Sequence, residues 1–125
     1  MASLVIVEGE GKGRHLPLKL PIVSVGRDDQ CTFQVVHDMI SRKHLQVRLN
    51  AADQRHYAGD YRSANGVFVN DKRIVLDTAL ADGDRIRIGP STMVYLAAEH
   101  SEAEALTAAA KRSGEWKRET LMRRD

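Results

Sequence analysis

Short apolar segments alternate with turn residues along most of the chain, and this spacing constrains the fold more than any other feature. Between residues 3 and 98 the apolar segments are LVIVEG, HLPLKL, IVSVGR, FQVV, LQVRLN, RHYAGD, VFVN, KRIV, DRIRIG and TMVYLA. Between some of them stand Asn, Asp and Gly, which favour turns because they tolerate positive φ or bond their own backbone. Short strands at close, regular intervals predict an all-β sandwich or barrel.

Two of these segments alternate between apolar and polar residues. Leu45, Val47 and Leu49 alternate with polar residues in one segment, and Ile86 and Ile88 do so in the other. Successive side chains of a strand point to opposite faces. Each segment is therefore predicted to turn its apolar side toward the core and its polar side toward water.

The composition changes at about residue 99, where the chain becomes rich in Ala, Glu, Lys and Arg. These residues favour helix, and a glycine weakens it. We therefore predict one β domain over residues 1–98 and a helical or flexible tail over 99–125, interrupted near Gly114. The total length of 125 residues is typical of one ordinary domain with a short extension.

Charge and hydropathy argue against several functional classes. The net charge of +2 is too balanced to drive binding to nucleic acid or to a membrane. No membrane span or signal peptide is visible, because the longest apolar run covers about six residues, and a cytoplasmic location is the simplest expectation. The single cysteine, Cys31, has no disulfide partner in the chain and is interpreted as a small, partly buried bystander.

The segment ISRKHLQVRLN first suggests an enzyme, because Ser41 lies three residues before His44 and Asp38 is close. Residues three apart point to opposite faces of an extended segment, and the sequence has no G-x-S-x-G motif. We therefore predict that the protein is not an enzyme. The five histidines lack ligand spacing, so neither a metal nor another cofactor is expected.

Three loop segments favour binding over catalysis: SVGRDD, SRKH and YRSANG each adjoin a predicted strand. A sandwich can gather such loops at one end. Their side chains are cations, hydroxyls and an amide, namely Arg27, Ser41, Arg42, Lys43, Ser63 and Asn65. A phosphate monoester carries about −1.5 to −2 charge and three acceptor oxygens, which such donors match.

These segments resemble the forkhead-associated (FHA) domain in order and spacing: GR, then SRKH, then SANGVFVN, then DGDRIRIG. The resemblance covers about residues 3–97. It implies a sandwich of about eleven strands in two antiparallel-rich sheets, with the helical tail outside it. It also implies that the loops at one end bind phosphothreonine in an extended peptide.

The resemblance assigns a role to each matching residue. It implies that Arg27, Ser41, Arg42 and Ser63 contact the phosphate. Asn65 is expected to use its amide N–H and carbonyl on the peptide backbone, since it alone among these side chains offers both.

The remaining matching residues are expected to support the site. Gly26 and Gly66 are expected to permit the loop backbone, and His44 is expected to hold the loops by hydrogen bonding. Lys43 and Ala64 are possible additional contacts.

Two positions depart from the family pattern. Ala64 stands where the family has threonine, so a hydroxyl is missing, and its backbone N–H, Ser63 and Arg42 are the available substitutes. Met39 stands where some members have an arginine that selects an acidic residue three positions after the phosphothreonine. An apolar preference at that position is the expectation here.

The resemblance thus predicts a phosphothreonine-dependent binding module that couples a Ser/Thr kinase to complex assembly. Its partner would be a phosphorylated protein, either the kinase or its substrate. The alternative, motivated by Ala64, is a scaffold that binds proteins or itself without phosphorylation. A further hypothesis concerns Thr120, which lies among basic residues and would let a phosphorylated tail reach its own site.

Overall fold

Eleven strands form two sheets in the computed structural model, which describes residues 1–122 and, within the terminal helix, side chains through Ser113. Sheet A contains β1 (Ser3–Glu8), β2 (His15–Pro17), β7 (Val67–Val69), β8 (Lys72–Arg73), β10 (Arg85–Ile88) and β11 (Ser91–Leu96). Sheet B contains β3 (Ile22–Gly26), β4 (Phe33–Gln34), β5 (Leu45–Asn50), β6 (Arg55–Asp60) and β9 (Thr78–Ala79). The chain ends in helix α1 (Glu102–Met122).

The spatial order is β2-β1-β11-β10-β7-β8 in sheet A and β4-β3-β5-β6-β9 in sheet B. All strand pairs are antiparallel except β3 with β4, which is parallel. The prediction of a sandwich with about eleven strands and a helical tail is confirmed.

The core lies between the sheets and takes apolar side chains from both. The largest fully buried side chains include Leu4, Ile6, Leu16, Ile40, Leu45, Ile86, Ile88 and Met93. Burial of each such side chain contributes about 1.5 to 3 kcal/mol. This core fixes the two sheets to each other and therefore fixes the loops that leave their ends.

The predicted alternation is confirmed in β10, where Ile86 and Ile88 are both fully buried. In β5 it holds for Leu45 and Val47 and fails for Leu49, whose side chain is 37% exposed. Leu49 lies next to the last residue of the strand, and its amide donates to the Pro21 carbonyl. The core does not extend over this end of the sheet, so the expectation that Leu49 is buried was wrong.

Helix α1 packs on the outer face of sheet A. A capping box starts it, since the amide of Glu104 donates to Ser101 Oγ at 3.2 Å and the amide of Ser101 donates to Glu104 Oε1 at 2.8 Å. Ala105 and Ala109 are fully buried against a small cluster formed by Val5, Val94 and Leu96.

A second attachment of the helix lies at Arg112, one residue before the last of its described side chains. Arg112 donates to Asp82 Oδ2 through Nε at 3.0 Å and Nη2 at 2.7 Å, while the amide of Ala97 donates to Asp82 Oδ1. The helix continues through Gly114, so the predicted interruption there was wrong. The side chain of Thr120, and with it the hypothesis of self-recognition, lies outside the described residues.

Over residues 1–122, no helix combines the length and the apolar character that crossing a bilayer requires.

Candidate anion-binding site

Three loops meet at the end of the sandwich where β3 and β6 end and β5 and β7 begin. Backbone hydrogen bonds join the first two, since the amides of Arg27 and Asp28 donate to the carbonyls of Ser41 and Arg42 at 3.0 and 3.1 Å. The third loop is joined through the amide of Tyr61, which donates to the His44 carbonyl at 3.1 Å. The structure thus brings together the three segments that the sequence analysis singled out.

His44 connects two of these loops from inside the protein. Its Nδ1 accepts from the amide of Ser41 at 3.1 Å, and its Nε2 lies 2.7 Å from the Gly66 carbonyl. A carbonyl only accepts, so Nε2 carries the hydrogen and Nδ1 does not, which makes the ring neutral. Burial lowers the pKa of His44, although the bond to Gly66 and the charge of Asp60 oppose this effect.

The geometry separates Ser41 from His44 chemically. The imidazole bonds to the backbone N–H of Ser41, whereas Ser41 Oγ accepts from the amide of Ala64 at 3.0 Å. A nucleophilic serine would need its hydroxyl on the base. The hydrogen of this hydroxyl is instead available for a ligand oxygen.

The amide of Ala64 is therefore already paired. From the sequence, this N–H was expected to substitute for the missing threonine hydroxyl. In the structure it holds Ser41 Oγ in place, so it orients a donor instead of presenting one. A ligand oxygen would have to displace Ser41 Oγ to reach it.

Asn65 and Ser63 shape the third loop. Asn65 Nδ2 donates to the Met39 carbonyl at 2.8 Å, which uses one of its two N–H groups and leaves the other N–H and the side-chain carbonyl for a ligand. Ser63 Oγ accepts from the amide of Gly66 at 2.9 Å, and the amide of Ser63 donates to Asp60 Oδ1 at 2.8 Å. Both residues thus help to form the loop; Asn65 is exposed, and Ser63 is half-buried.

The two glycines allow a close approach. A Cβ on Gly26 would lie 2.2 Å from the Arg42 carbonyl oxygen, so a side chain there would push the first two loops apart. Gly66 has a φ of +85°, a conformation that costs other residues energy.

Three cations of the predicted site lie in the loops at this end of the protein. Arg27, Arg42 and Lys43 are exposed, and none of them forms an ion pair within the described part of the chain. Arg27 is oriented by its Nε, which donates to the Ile40 carbonyl at 3.0 Å. Lys43 lies over the ring of Tyr61, 5.9 Å from its centroid.

Asp28 is the acidic neighbour of these cations. Its pKa is lowered, first by the bond from the amide of Gln30 and further by the charges of Arg42 and Lys43. Across loops 27–32, 35–44 and 61–66 there are four Arg or Lys residues and three Asp residues, so the excess of positive charge is one.

Cys31, which the sequence predicts to be a partly buried bystander, has a role in the second loop. Its side chain is buried, and its Sγ donates to the Arg42 carbonyl at 3.1 Å. Burial raises the pKa of its thiol. Cys31 therefore fastens the backbone of the second loop, a role that its isolated position in the sequence did not indicate.

The arrangement can hold an anion with guanidinium groups, a hydroxyl and an amide on a rigid frame. Among the side chains that the structure describes, which end at Ser113, no group of three or more His, Cys, Asp or Glu is placed to hold a metal ion. The fold and this loop cluster together define a β-sandwich protein with a candidate anion site at one end.

Comparison with known proteins identifies the family. The sequence profile of the FHA domain matches residues 23–89, and the chain belongs to the FHA domain family, as the sequence motifs suggested. GarA, the glycogen accumulation regulator of Mycolicibacterium smegmatis, is 32% identical over 102 residues, which are 81% of this chain and 62% of GarA. Other curated relatives are matched over smaller shares of their own length, down to 5%.

Two solved structures extend the comparison. One, from a structural and functional analysis of phosphothreonine-dependent FHA domain interactions, superposes with a TM-score of 0.69 at 29% identity, covering 79% of this chain and 98% of the other. The second is EmbR of Mycobacterium tuberculosis in complex with a low-affinity phosphopeptide. Its TM-score is 0.70 at 28% identity, covering 80% of this chain and 26% of EmbR.

Proposed function

We propose that this domain binds a protein segment that carries phosphothreonine, and that it does so as a binding module without catalysis. The observation that carries the proposal is the joining of three loops into one rigid cationic end. There Arg27 is oriented and the Ser41 hydroxyl is held by Ala64 with its hydrogen available. The relatives studied with phosphothreonine or phosphopeptides support the same chemistry.

In this proposal the phosphate is held by charge and by directed hydrogen bonds. Arg27 and Arg42 provide guanidinium groups, and the hydroxyls of Ser41 and Ser63 donate to phosphate oxygens. Hydrogen bonds to a charged group contribute about 1.5 to 3 kcal/mol each. Lys43 adds positive charge at the edge of the site.

Asn65 would set the path of the peptide. Its second N–H and its side-chain carbonyl can bond a peptide carbonyl and amide, while its bond to Met39 keeps the side chain in place. Met39 is 49% exposed next to this contact, which supports an apolar preference after the phosphothreonine. Gly26, His44 and Gly66 would hold the loops in their relative positions.

The module would couple a Ser/Thr kinase to the assembly of a complex, with the kinase or its substrate as the partner. A domain over residues 1–98 and a cytoplasmic location complete this proposal. Contacts with nucleic acid or a membrane are not part of it. Self-association through the tail belongs to the phosphorylation-independent alternative, which the Ala64 position motivates.

Replacement of Arg27 tests the mechanism. Arg27→Ala should weaken binding to a phosphothreonine peptide by about 2 to 5 kcal/mol, the range for removing one partner of a desolvated charge pair. The measurement is titration of a phosphothreonine peptide library by fluorescence anisotropy, followed by the selected peptides one by one.

Arg55→Ala is the matched control, because Arg55 begins β6 at the opposite end of the sandwich and its loss changes the net charge equally. Equal affinity of wild type and Arg27→Ala would contradict the mechanism. Equal affinity of wild type for phosphorylated and dephosphorylated partner would instead support the scaffold alternative.

A further inference from the structure

The outer face of sheet A, beside the surface covered by α1, carries a row of two arginines around a phenylalanine. Arg73 on β8 is the cross-strand partner of Phe68 on β7, and Phe68 is the partner of Arg87 on β10. Directly opposed residues of antiparallel strands point to the same face. We call Arg73, Phe68 and Arg87 the Arg–Phe–Arg row.

The row points away from the core. Val67 and Val69 flank Phe68 and are buried, and Ile86 and Ile88 flank Arg87 and are buried. Phe68 itself is half-buried on the other side of its strand.

The two arginines are available to an anion. Arg73 is exposed, and Arg87 is half-buried with its guanidinium 4.1 Å from the centre of the Phe68 ring. Neither forms an ion pair among the described residues, in contrast to Arg85, which lies 3.9 Å from Asp71. Stacking on a ring holds a guanidinium flat and leaves its N–H edges able to bond a carboxylate.

The row starts at the proposed phosphothreonine site. A Cβ on Gly66 would lie 2.7 Å from Arg73 Nε, and Gly66 directly follows Asn65. Neighbouring strands are about 4.8 Å apart, so Arg73 and Arg87 lie about 10 Å from each other across β7. An extended segment advances about 3.3 Å per residue and would cross the row in about three residues.

We propose that the Arg–Phe–Arg row is a second contact surface, which binds Asp or Glu side chains of the same phosphorylated partner. The inference rests on the proposed function, because the segment reaches the row after passing the loop of Asn65. Its basis is charge complementarity: two cations without carboxylate partners in the described chain face outward around one ring. The occupant is an acidic segment of a partner protein, a few residues from its phosphothreonine.

Phosphopeptides with and without acidic residues test this surface. Three phosphopeptides are compared. One carries a glutamate pair three to six residues before the phosphothreonine, and the second carries the pair at the same distance after it. The reference peptide has alanines at all of these positions. For wild type, one placement should lower the Kd about threefold to tenfold at low salt, since exposed ion pairs have small individual effects that salt screens.

The double variant Arg73→Gln/Arg87→Gln should lose this gain and keep its affinity for the alanine peptide. Lys19→Gln/Lys111→Gln is the matched control. Both lysines are exposed and lie outside the row, and their replacement removes the same amount of charge. A glutamate effect that persists in the Arg variant, or equal loss in both double variants, would overturn the proposal.

The experiment distinguishes failure of the second contact surface from failure of the proposed phosphothreonine binding. If wild type binds the alanine phosphopeptide and neither glutamate placement improves binding, the second surface is wrong and the proposed function stands. If no phosphopeptide binds, the proposed function is wrong, and the second surface, which rests on it, is overturned with it.

Discussion

Gly26 is the residue at which the first two loops come closest to each other. Its backbone is of ordinary conformation, yet a Cβ would meet the Arg42 carbonyl oxygen at 2.2 Å. Real Cβ atoms do not approach backbone oxygen so closely, so the strand end and the loop must separate. In the sequence this glycine suggests a turn. In the structure it is needed because any side chain at this position would collide with the neighbouring loop.

We expect Gly26→Ala to destabilise the protein by about 1 to 3 kcal/mol, the usual cost of forced overpacking, and to weaken phosphopeptide binding. Chemical denaturation and peptide titration measure the two effects. Gly59→Ala is the matched control, because its Cβ would meet only the carboxylate end of Asp77, which can rotate away at the small cost of its exposed ion pair with Arg48. Equal destabilisation by both variants would contradict the argument.

Other residue roles depended on contacts that the sequence does not display. The pattern placed Ser41, Asn65 and His44 in the site, and the structure brings them together. It did not indicate that the Ala64 amide is used by Ser41 or that Cys31 holds the Arg42 carbonyl. Hydrogen bonds between segments 11 and 23 residues apart depend on packing, which local sequence does not specify. The binding roles themselves stay predictions.

The composition of the tail predicted that α1 is helical. Its position on sheet A is decided only by packing. Ala105 and Ala109 are small enough to lie flat on Val5, Val94 and Leu96, so this face buries apolar area that the outer side of sheet A would otherwise expose. Arg112 adds a bond to Asp82, next to the β10 end that is remote from the loops. The helix thus stabilises the sandwich at a distance from the proposed site.

A charge on the buried face should release this helix. Ala109→Asp should lower the free energy of unfolding by about 2 to 4 kcal/mol, because an unpaired charge must be buried or the helix must leave the sheet. Ala110→Asp is the matched control, since the neighbouring side chain is exposed and the helix propensity changes equally. Denaturation followed by circular dichroism measures both, and equal stability of the two variants would contradict the packing.

At the scale of the whole molecule, two buried histidines link stability to pH. Burial lowers the pKa of both His44 and His56, and His56 Nδ1 lies 2.9 Å from the Tyr95 hydroxyl. Below the ordinary histidine pKa of about 6.5 the unfolded chain takes up protons before the folded one. The stability present above this pH is therefore lost as pH falls toward the lowered folded pKa values.

The free energy of unfolding should thus decrease between pH 7.5 and 5.5, by at most about 1.4 kcal/mol per pH unit for each histidine. The lowered pKa values of Asp53 and Asp82 act in the same direction at more acidic pH, outside this window. Urea denaturation at several pH values measures the slope. His56→Gln should reduce it, and a slope of zero in wild type would contradict the linkage.

The sequence by itself determined an all-β body and a helical tail, because these depend on local periodicity, turn residues and composition. The resemblance of its motifs to the FHA domain added the sandwich and the grouping of the loops. Which residues of β5 are buried could not be predicted from the sequence alone. Leu49 follows the apolar alternation, yet it lies beyond the core. Three features were decided by the tertiary structure alone: the register of the Arg–Phe–Arg row, the position of α1 on sheet A, and the hydrogen bond from the Ala64 amide to Ser41. Each of these depends on which distant segments are brought within bonding distance, and only the packing of two sheets around one core sets those distances.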